Sequence, residues 1–249
     1  MAAQVDWQAL SETFLRYLHD NAAVPPSFAE TLPLPEMAPL QPGEPLEIRH
    51  PLSGESLSLT HRPLDAATVR RLAAEAAEGL DDPFLRFLAL WRDLPDLLAR
   101  EGGCDWQYLP ADPRLPDHAV HHRADLATAI LAAGARPALL SFALGPVQGF
   151  IAAARSVRDL WSGSAILSWL TFEAMKPVLE AVGPAAFVFP ALRGQPLMDL
   201  WLETRGRTRD ETASHRTPCL PNRFLALVPA TEAADLGKAC RDAARGKWL

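Results

Sequence analysis

"GPVQGFIAAARSVRDLWSGSAILSWL", residues 145–170, decides how the second half of this chain folds. Its apolar residues recur at helical spacing, yet two arginines, an aspartate and a Ser-Gly-Ser interrupt them. At about 100° per residue, Val147, Phe150, Ile151, Ala154 and Trp161 fall in a stripe about 100° wide. Arg158 lies in the same stripe, about 20° from Ile151, with Arg155 and Asp159 at its edge, one helical turn apart. A guanidinium on a core face either pairs with a carboxylate or binds a phosphate or backbone group, because an unpaired buried charge costs several kcal/mol. Ser162-Gly163-Ser164 predicts a corner between two helices, with Gly163 turning the backbone and Ser162 or Ser164 capping the second helix. Such a corner either joins two helices and nothing more, or offers free N–H groups to an anion.

Outward from this stretch, "PALLSFALG" (137–145) reads as a buried strand and "SAILSWLTFEAMKPVLEAVG" (164–183) as a helix with Ser164 as its N-cap. "AAFVFPAL" (185–192) and "NRFLALVPA" (222–230) read as strands, and "TEAADLGKACRDAARGKWL" (231–249) as a helix opened by Thr231. Strand, helical pair, strand, strand, helix is most of a ferredoxin-like β-α-β-β-α-β unit without its last strand. Before Arg136 the patterning is helical: residues 7–20, then 63–80 with Asp65 as N-cap and Gly79 near the end, then 82–103 and 124–134. Residues 23–51 hold eight prolines and no periodicity, and read as irregular chain. The predicted fold class is α+β, with a mostly helical domain over 1–136 and a mixed one over 137–249.

The chain has 249 residues, 49% of them hydrophobic, and a net charge of −6. That length buries a real core, and that charge argues against a protein that binds nucleic acid with its whole surface. No run of 18 apolar residues exists, so no membrane span is expected. Asp6 and Glu12 interrupt the N-terminus where a signal peptide needs an apolar core. Three widely spaced cysteines, with no CxxC, fit a reducing cytoplasm rather than a structural zinc site. "TRGRTRDETASHR" (204–216) gathers four arginines near His215, either a solvated loop or a phosphate-binding cluster. "GGCD" (102–105) carries one Asp where a two-metal cyclase tip needs adjacent carboxylates, and reads as a helix C-cap.

Six of the seven histidines precede residue 135. His19-Asp20 ends the first predicted helix, and "PDHAVHHRAD" (116–125) supplies Asp117, His118, His121, His122 and Asp125. On a helix, His118 would share a face with His121 or His122 at metal-ligand spacing. A His-Asp dyad joined to a distant His and Asp suits a divalent-metal phosphohydrolase, in which the metal acidifies the attacking water. The same residues also suit a helix end where His19 meets free carbonyls, followed by a solvated histidine-rich turn.

Taken together, "YLPADPRLPDH" (108–118), the stretch 145–183, "FVFPALRGQPLMDLWL" (187–202) and "TPCLPNRFLALVPA" (217–230) resemble one family. That family is the large subunit of type III (Cmr-type, III-B) CRISPR RNA-guided effector complexes, the CRISPR polymerase family. The resemblance spans about 106–249, with a looser likeness at "YLHD" (17–20). It implies an N-terminal HD-type domain, a metal-dependent single-stranded DNA nuclease, followed by ferredoxin-like palms that make cyclic oligoadenylate from ATP. Carried over, His19 and Asp20 become catalytic, and His19, Asp20, Asp117, His118 and His122 hold Mn²⁺, Ni²⁺ or Mg²⁺. Ser162, Gly163 and Ser164 line half of an ATP site and Arg158 anchors it. The implied partners are the other subunits of a cytoplasmic ribonucleoprotein, crRNA and target RNA indirectly, and single-stranded DNA, with no membrane. Two departures stand out. The lysine usual after the HD dipeptide is missing from "HDNAAVPP" (19–26), and a histidine expected after the "PDH" element stands as Arg123. The chain is expected to stop inside the first palm, so complete cyclase chemistry is not expected of it alone. The alternatives are a non-catalytic scaffold subunit of that complex and a free-standing HD-type phosphohydrolase.

Overall fold

In the computed structural model of the chain, the described residues are 5–19, 45–60, 65–102, 108, 110–112, 115–206 and 219–248. They are α+β and form two compact units, Trp7–Ala127 and one built on Thr128–Leu249. The first unit contains α1 (Trp7–His19), β1 (Pro45–Arg49), β2 (Ser56–Thr60), α2 (Ala66–Ala76), α3 (Pro83–Gly102), β3 (Pro110–Asp112) and β4 (Leu115–Ala119). It also holds the start of α4 (Val120–Ala133), within which the two units divide. The second contains β5 (Pro137–Ala143), α5 (Val147–Ala152), α6 (Val157–Val182), β6 (Phe187–Phe189), α7 (Pro196–Glu203), β7 (Arg223–Pro229) and α8 (Ala233–Trp248).

In the first unit the periodic apolar residues close on one another. Leu10 and Phe14 of α1, Val69 and Leu72 of α2, and Phe87, Leu88, Trp91, Leu94 and Leu98 of α3 are buried. Each such side chain contributes about 1.5–3 kcal/mol when fully buried. Trp7 lies 4.6 Å from Phe84 and 5.7 Å from Phe87, ring centre to ring centre, pinning the start of α1 to α3. Asp65 caps α2 by accepting from the Thr68 N–H at 2.7 Å. Residues 45–49, expected to be irregular, form a strand. β1 pairs antiparallel with β2, with buried Leu59 as its anchor. Pro45 is compatible because it is the first residue of its strand. "PADPRLPDHA" (110–119) likewise contributes the hairpin of β3 and β4.

In the second unit the sheet order is β5-β7-β6, every pair antiparallel. Phe224, Ala226 and Val228 of β7 are buried, and Phe142 of β5 stacks on Phe224 at 5.1 Å. α6 and α8 pack on each other and over this strand set. On the opposite sheet face Leu139 is 64% exposed and Val188 54%.

The stretch 145–170 departs from its expected form. α5 ends at Ala152, the chain turns through Ala153–Ser156, and α6 runs unbroken from Val157 to Val182, straight through Ser162-Gly163-Ser164. The break sits where it does because Ser156 is extended (φ −147, ψ 163) and its Oγ accepts from the Asp159 N–H at 3.1 Å. The Asp159 carboxylate in turn accepts from the Arg155 N–H at 3.2 Å. Together these bonds satisfy the Asp159 N–H at the helix start and the Arg155 N–H just ahead of the cap. It also resets the helical phase, so Val147–Ile151 and Arg158–Trp161 no longer share one stripe.

Candidate functional site

The Gly-Pro-Val-Gln and Leu-Pro-Asn-Arg-Phe elements of the sequence meet at the end of β5. The Leu144 N–H donates to the Asn222 carbonyl at 2.7 Å, and the Asn222 Nδ2 donates to the Leu144 carbonyl at 2.8 Å. Ser168 of α6, 3% exposed, donates its hydroxyl to the Leu220 carbonyl at 2.8 Å. The Leu-Pro-Asn segment (220–222) is therefore clasped between the strand end that leads into Gly-Pro-Val-Gln and the middle of α6. Buried polar groups satisfied in this way hold one geometry.

The first half of α6 is where the expected nucleotide residues sit. Gly163 is buried on the α5 side: a Cβ built there would lie 3.3 Å from both Phe150 Cε1 and Ile151 Cδ1. Its missing side chain lets α5 fold down onto α6, so Gly163 serves close approach rather than a turn. Ser164 donates its hydroxyl back to the Leu160 carbonyl at 3.0 Å. The backbone N–H groups of Ser162, Gly163 and Ser164 belong to the helix ladder and offer no cradle to a phosphate. Arg158 is exposed and not on a core face, and among the described residues it makes no ion pair. Half-buried Ser162 stands one turn beyond Arg158, on the same side of α6. Their side chains, not the backbone, are what this helix can offer a nucleotide. The pattern Ser156-x-x-Asp159 was the sequence signal for the true helix start.

The candidate metal residues come from two places that the fold joins. The Arg123 guanidinium donates to the Tyr17 carbonyl at 3.4 Å, bringing the start of α4 to the C-terminal turn of α1. His19 is the last residue of α1, and Asp117 and His118 lie on β4 while His121 and His122 open α4. His118 is therefore not on a helix with His121 and His122 as expected, because the helix begins only at Val120. His118 and His122 are exposed, and the His121 and His122 rings lie 4.2 Å apart. His122 Nδ1 accepts from the Ala119 N–H at 3.4 Å. A neutral imidazole accepting at Nδ1 carries its proton on Nε2, so a metal at His122 requires this long contact to open. Asp20 and the side chains of His19 and Asp117 lie outside the described residues, as does the arginine-rich stretch from 207 to 218. Among the described residues, no three His, Cys, Asp or Glu side chains group as metal ligands. Among them also, no helix is long and apolar enough to cross a membrane.

Residues 139–249, which contain the whole clasp, match the family described as CRISPR-associated protein Cmr2, N-terminal. The likeness to the Cmr2 N-terminal region covers this part of the chain. The Cmr subunit Cmr2 of Pyrococcus furiosus is 38% identical over 125 residues, a match covering 50% of this chain and 14% of that relative's length. The fold as a whole is similar to a chain of the Type III-B Cmr-beta complex solved by cryo-EM in its apo state. The TM-score is 0.64 at 16% identity, with 97% of this chain and 27% of that one covered. A second Cmr-beta structure, bound to cognate target RNA, matches with a TM-score of 0.52 at 17% identity over 75% of this chain and 24% of its own. The Cmr2 match includes β5, β7 and the α5–α6 pair, the elements that the clasp holds together.

Proposed function

We propose that this chain acts as the N-terminal part of the large subunit of a type III-B CRISPR ribonucleoprotein, working in the cytoplasm beside the other subunits and through them with crRNA and target RNA. The observation that carries it is the Cmr2 likeness over 139–249. In this reading 137–249 is a ferredoxin-like palm: β5-β7-β6 is the order that a β-α-β-β-α-β unit gives its first three strands. Coexpression of the chain with the remaining subunits of a type III-B complex tests the assignment. The chain is expected to co-elute with the crRNA-bearing assembly, and its absence from an assembly that forms without it overturns the proposal.

Two chemistries belong to the same proposal. Arg158 and Ser162 contribute side-chain contacts to half of an ATP site, with Gly163 and Ser164 shaping the helix behind them. Titration with ATP should show binding weakened in Arg158→Ala and Ser162→Ala. The HD-type site would hold Mn²⁺, Ni²⁺ or Mg²⁺ through His19, Asp20, Asp117, His118 and His122, and the bound metal would acidify a water for attack on single-stranded DNA. Cleavage of single-stranded DNA with Mn²⁺ should be lost in the variant carrying His19→Ala and Asp20→Ala, and equal cleavage by both proteins sinks the nuclease.

A second reading has its own observation. Arg123 places a guanidinium at the C-terminal turn of α1, 3.4 Å from the Tyr17 carbonyl. A fixed cation there disfavours a second cation. This favours a non-catalytic scaffold, in which the cation meets the negative end of α1. Elemental analysis of the purified chain separates the two readings, since the scaffold holds no transition metal.

A further inference from the structure

The outer side of α6 carries a stripe that neither the core nor α5 uses. Arg158, Trp161, Ser162, Ala165 and Trp169 fall within about 100° of one another on the helix, on the side away from Gly163 and the α5 contact. Trp161 is 52% exposed and Trp169 38%, large apolar surfaces to leave in water. Neither makes a ring contact with another described residue. Eight residues separate them, which is about 12 Å along the axis, and only the small Ser162 and Ala165 lie between. Arg155 and Arg158 are both exposed and without an ion pair among the described residues. The carboxylate nearby, Asp159, is turned round the helix and spent on the cap.

We infer that this stripe is a stacking platform for a single-stranded nucleic acid, with bases on Trp161 and Trp169 and backbone phosphates at Arg158 and Arg155. Two indoles spaced by small residues leave flat slots that suit bases, and stacking on an aromatic side chain accepts any base. The cations select a polyanion over a neutral apolar helix, the other occupant of such a face. The rest of the molecule reinforces the choice, since a chain of net charge −6 repels polyanions except where cations are exposed. The inference shares Arg158 with the proposed ATP site, whereas Trp169 lies outside that site and carries the platform independently.

The test uses the full chain and fluorescein-labelled short oligo-dT and oligo-rU, read by anisotropy across a salt series. Trp161→Ala and Trp169→Ala should each weaken binding roughly tenfold and leave the salt slope unchanged. Arg158→Ala should lower the slope of log Kd against log salt by about 0.7, one phosphate on a single strand. ATP affinity, measured on the same proteins, should be unchanged in Trp169→Ala. A wild-type chain that fails to bind ATP yet shows this pattern therefore refutes the ATP site and leaves the platform standing. Oligonucleotide binding indifferent to both tryptophans overturns the inference. So does a Trp169→Ala variant that keeps oligonucleotide affinity but no longer joins the other subunits, which would make the stripe a protein-docking face. Far-UV circular dichroism of each variant confirms that the fold is intact.

Discussion

Gly163 separates a helix interior from a turn more sharply than any other position in the chain. In the interior of α6, replacing glycine by alanine gains about 1 kcal/mol of helix propensity. Against this, the new Cβ meets Phe150 Cε1 and Ile151 Cδ1 at 3.3 Å, so both side-chain ends must retreat by a few tenths of an ångström. Phe150 is 36% exposed and has room to swing. An off-rotamer shift of that kind costs about 0.5–1.5 kcal/mol, so Gly163→Ala should be nearly neutral. Gly163→Val adds two further carbons on a stiff χ1 and must push α5 away, an overpacking cost of about 1–3 kcal/mol. Had Gly163 formed a corner with positive φ, alanine would already strain it and valine would add little. Urea denaturation of the full chain, followed by far-UV circular dichroism and tryptophan emission, measures both variants. Comparable losses of more than about 1 kcal/mol in alanine and valine would refute the close-approach reasoning, because strain at a left-handed turn falls on both.

Three further outcomes are expected. Ser168→Ala removes the buried donor to the Leu220 carbonyl and should lower stability by about 1–3 kcal/mol in the same urea assay; combined with Asn222→Ala the losses should be non-additive, because both residues hold one segment. Burial pushes the Cys240 thiol up to about 11, so at pH 8 thiol labelling with peptide mapping should modify exposed Cys219 first and reach Cys240 only on unfolding. The hydrogen bond from the Thr68 N–H holds the Asp65 carboxyl below its ordinary 3.8. A carboxyl lowered in the folded state stabilises above its unfolded value and stops doing so as pH falls through the folded one. Asp65→Ala should therefore be less stable than wild type at neutral pH, with the gap closing as pH drops below 3.8.

Much of this molecule is written in local pattern. Asp65 and Gly79 bound α2 as expected, since capping chemistry acts over three or four residues. The apolar runs 137–143 and 223–229 read as strands and are strands. However, 137–143 is not the buried strand expected: Leu140 alone is buried in it, because one face of the sheet is uncovered and successive side chains take opposite faces. The resemblance drawn from Gly-Pro-Val-Gln, Arg-Asp-Leu-Trp and Leu-Pro-Asn-Arg-Phe led to the family that 139–249 matches. Pattern went wrong where two local signals competed. Ser156 and Ser164 both suit a helix start, but Ser156 alone has Asp159 to complete the cap, and glycine at 163 imitated a turn.

What local pattern could not hold is contact across long separations. Leu220 meets Ser168 at a separation of 52 residues, Asn222 meets Leu144 at 78, and Arg123 meets Tyr17 at 106. Periodicity shows which face of an element seeks cover, not which distant segment provides it. Packing thus decided three things: Arg158 stands in solvent, Gly163 is the seat of α5, and the start of α4 lies against the C-terminal turn of α1 at Tyr17. The amino-acid sequence determined most of the elements and a family likeness over 139–249; the tertiary structure decided which side chains are free to bind.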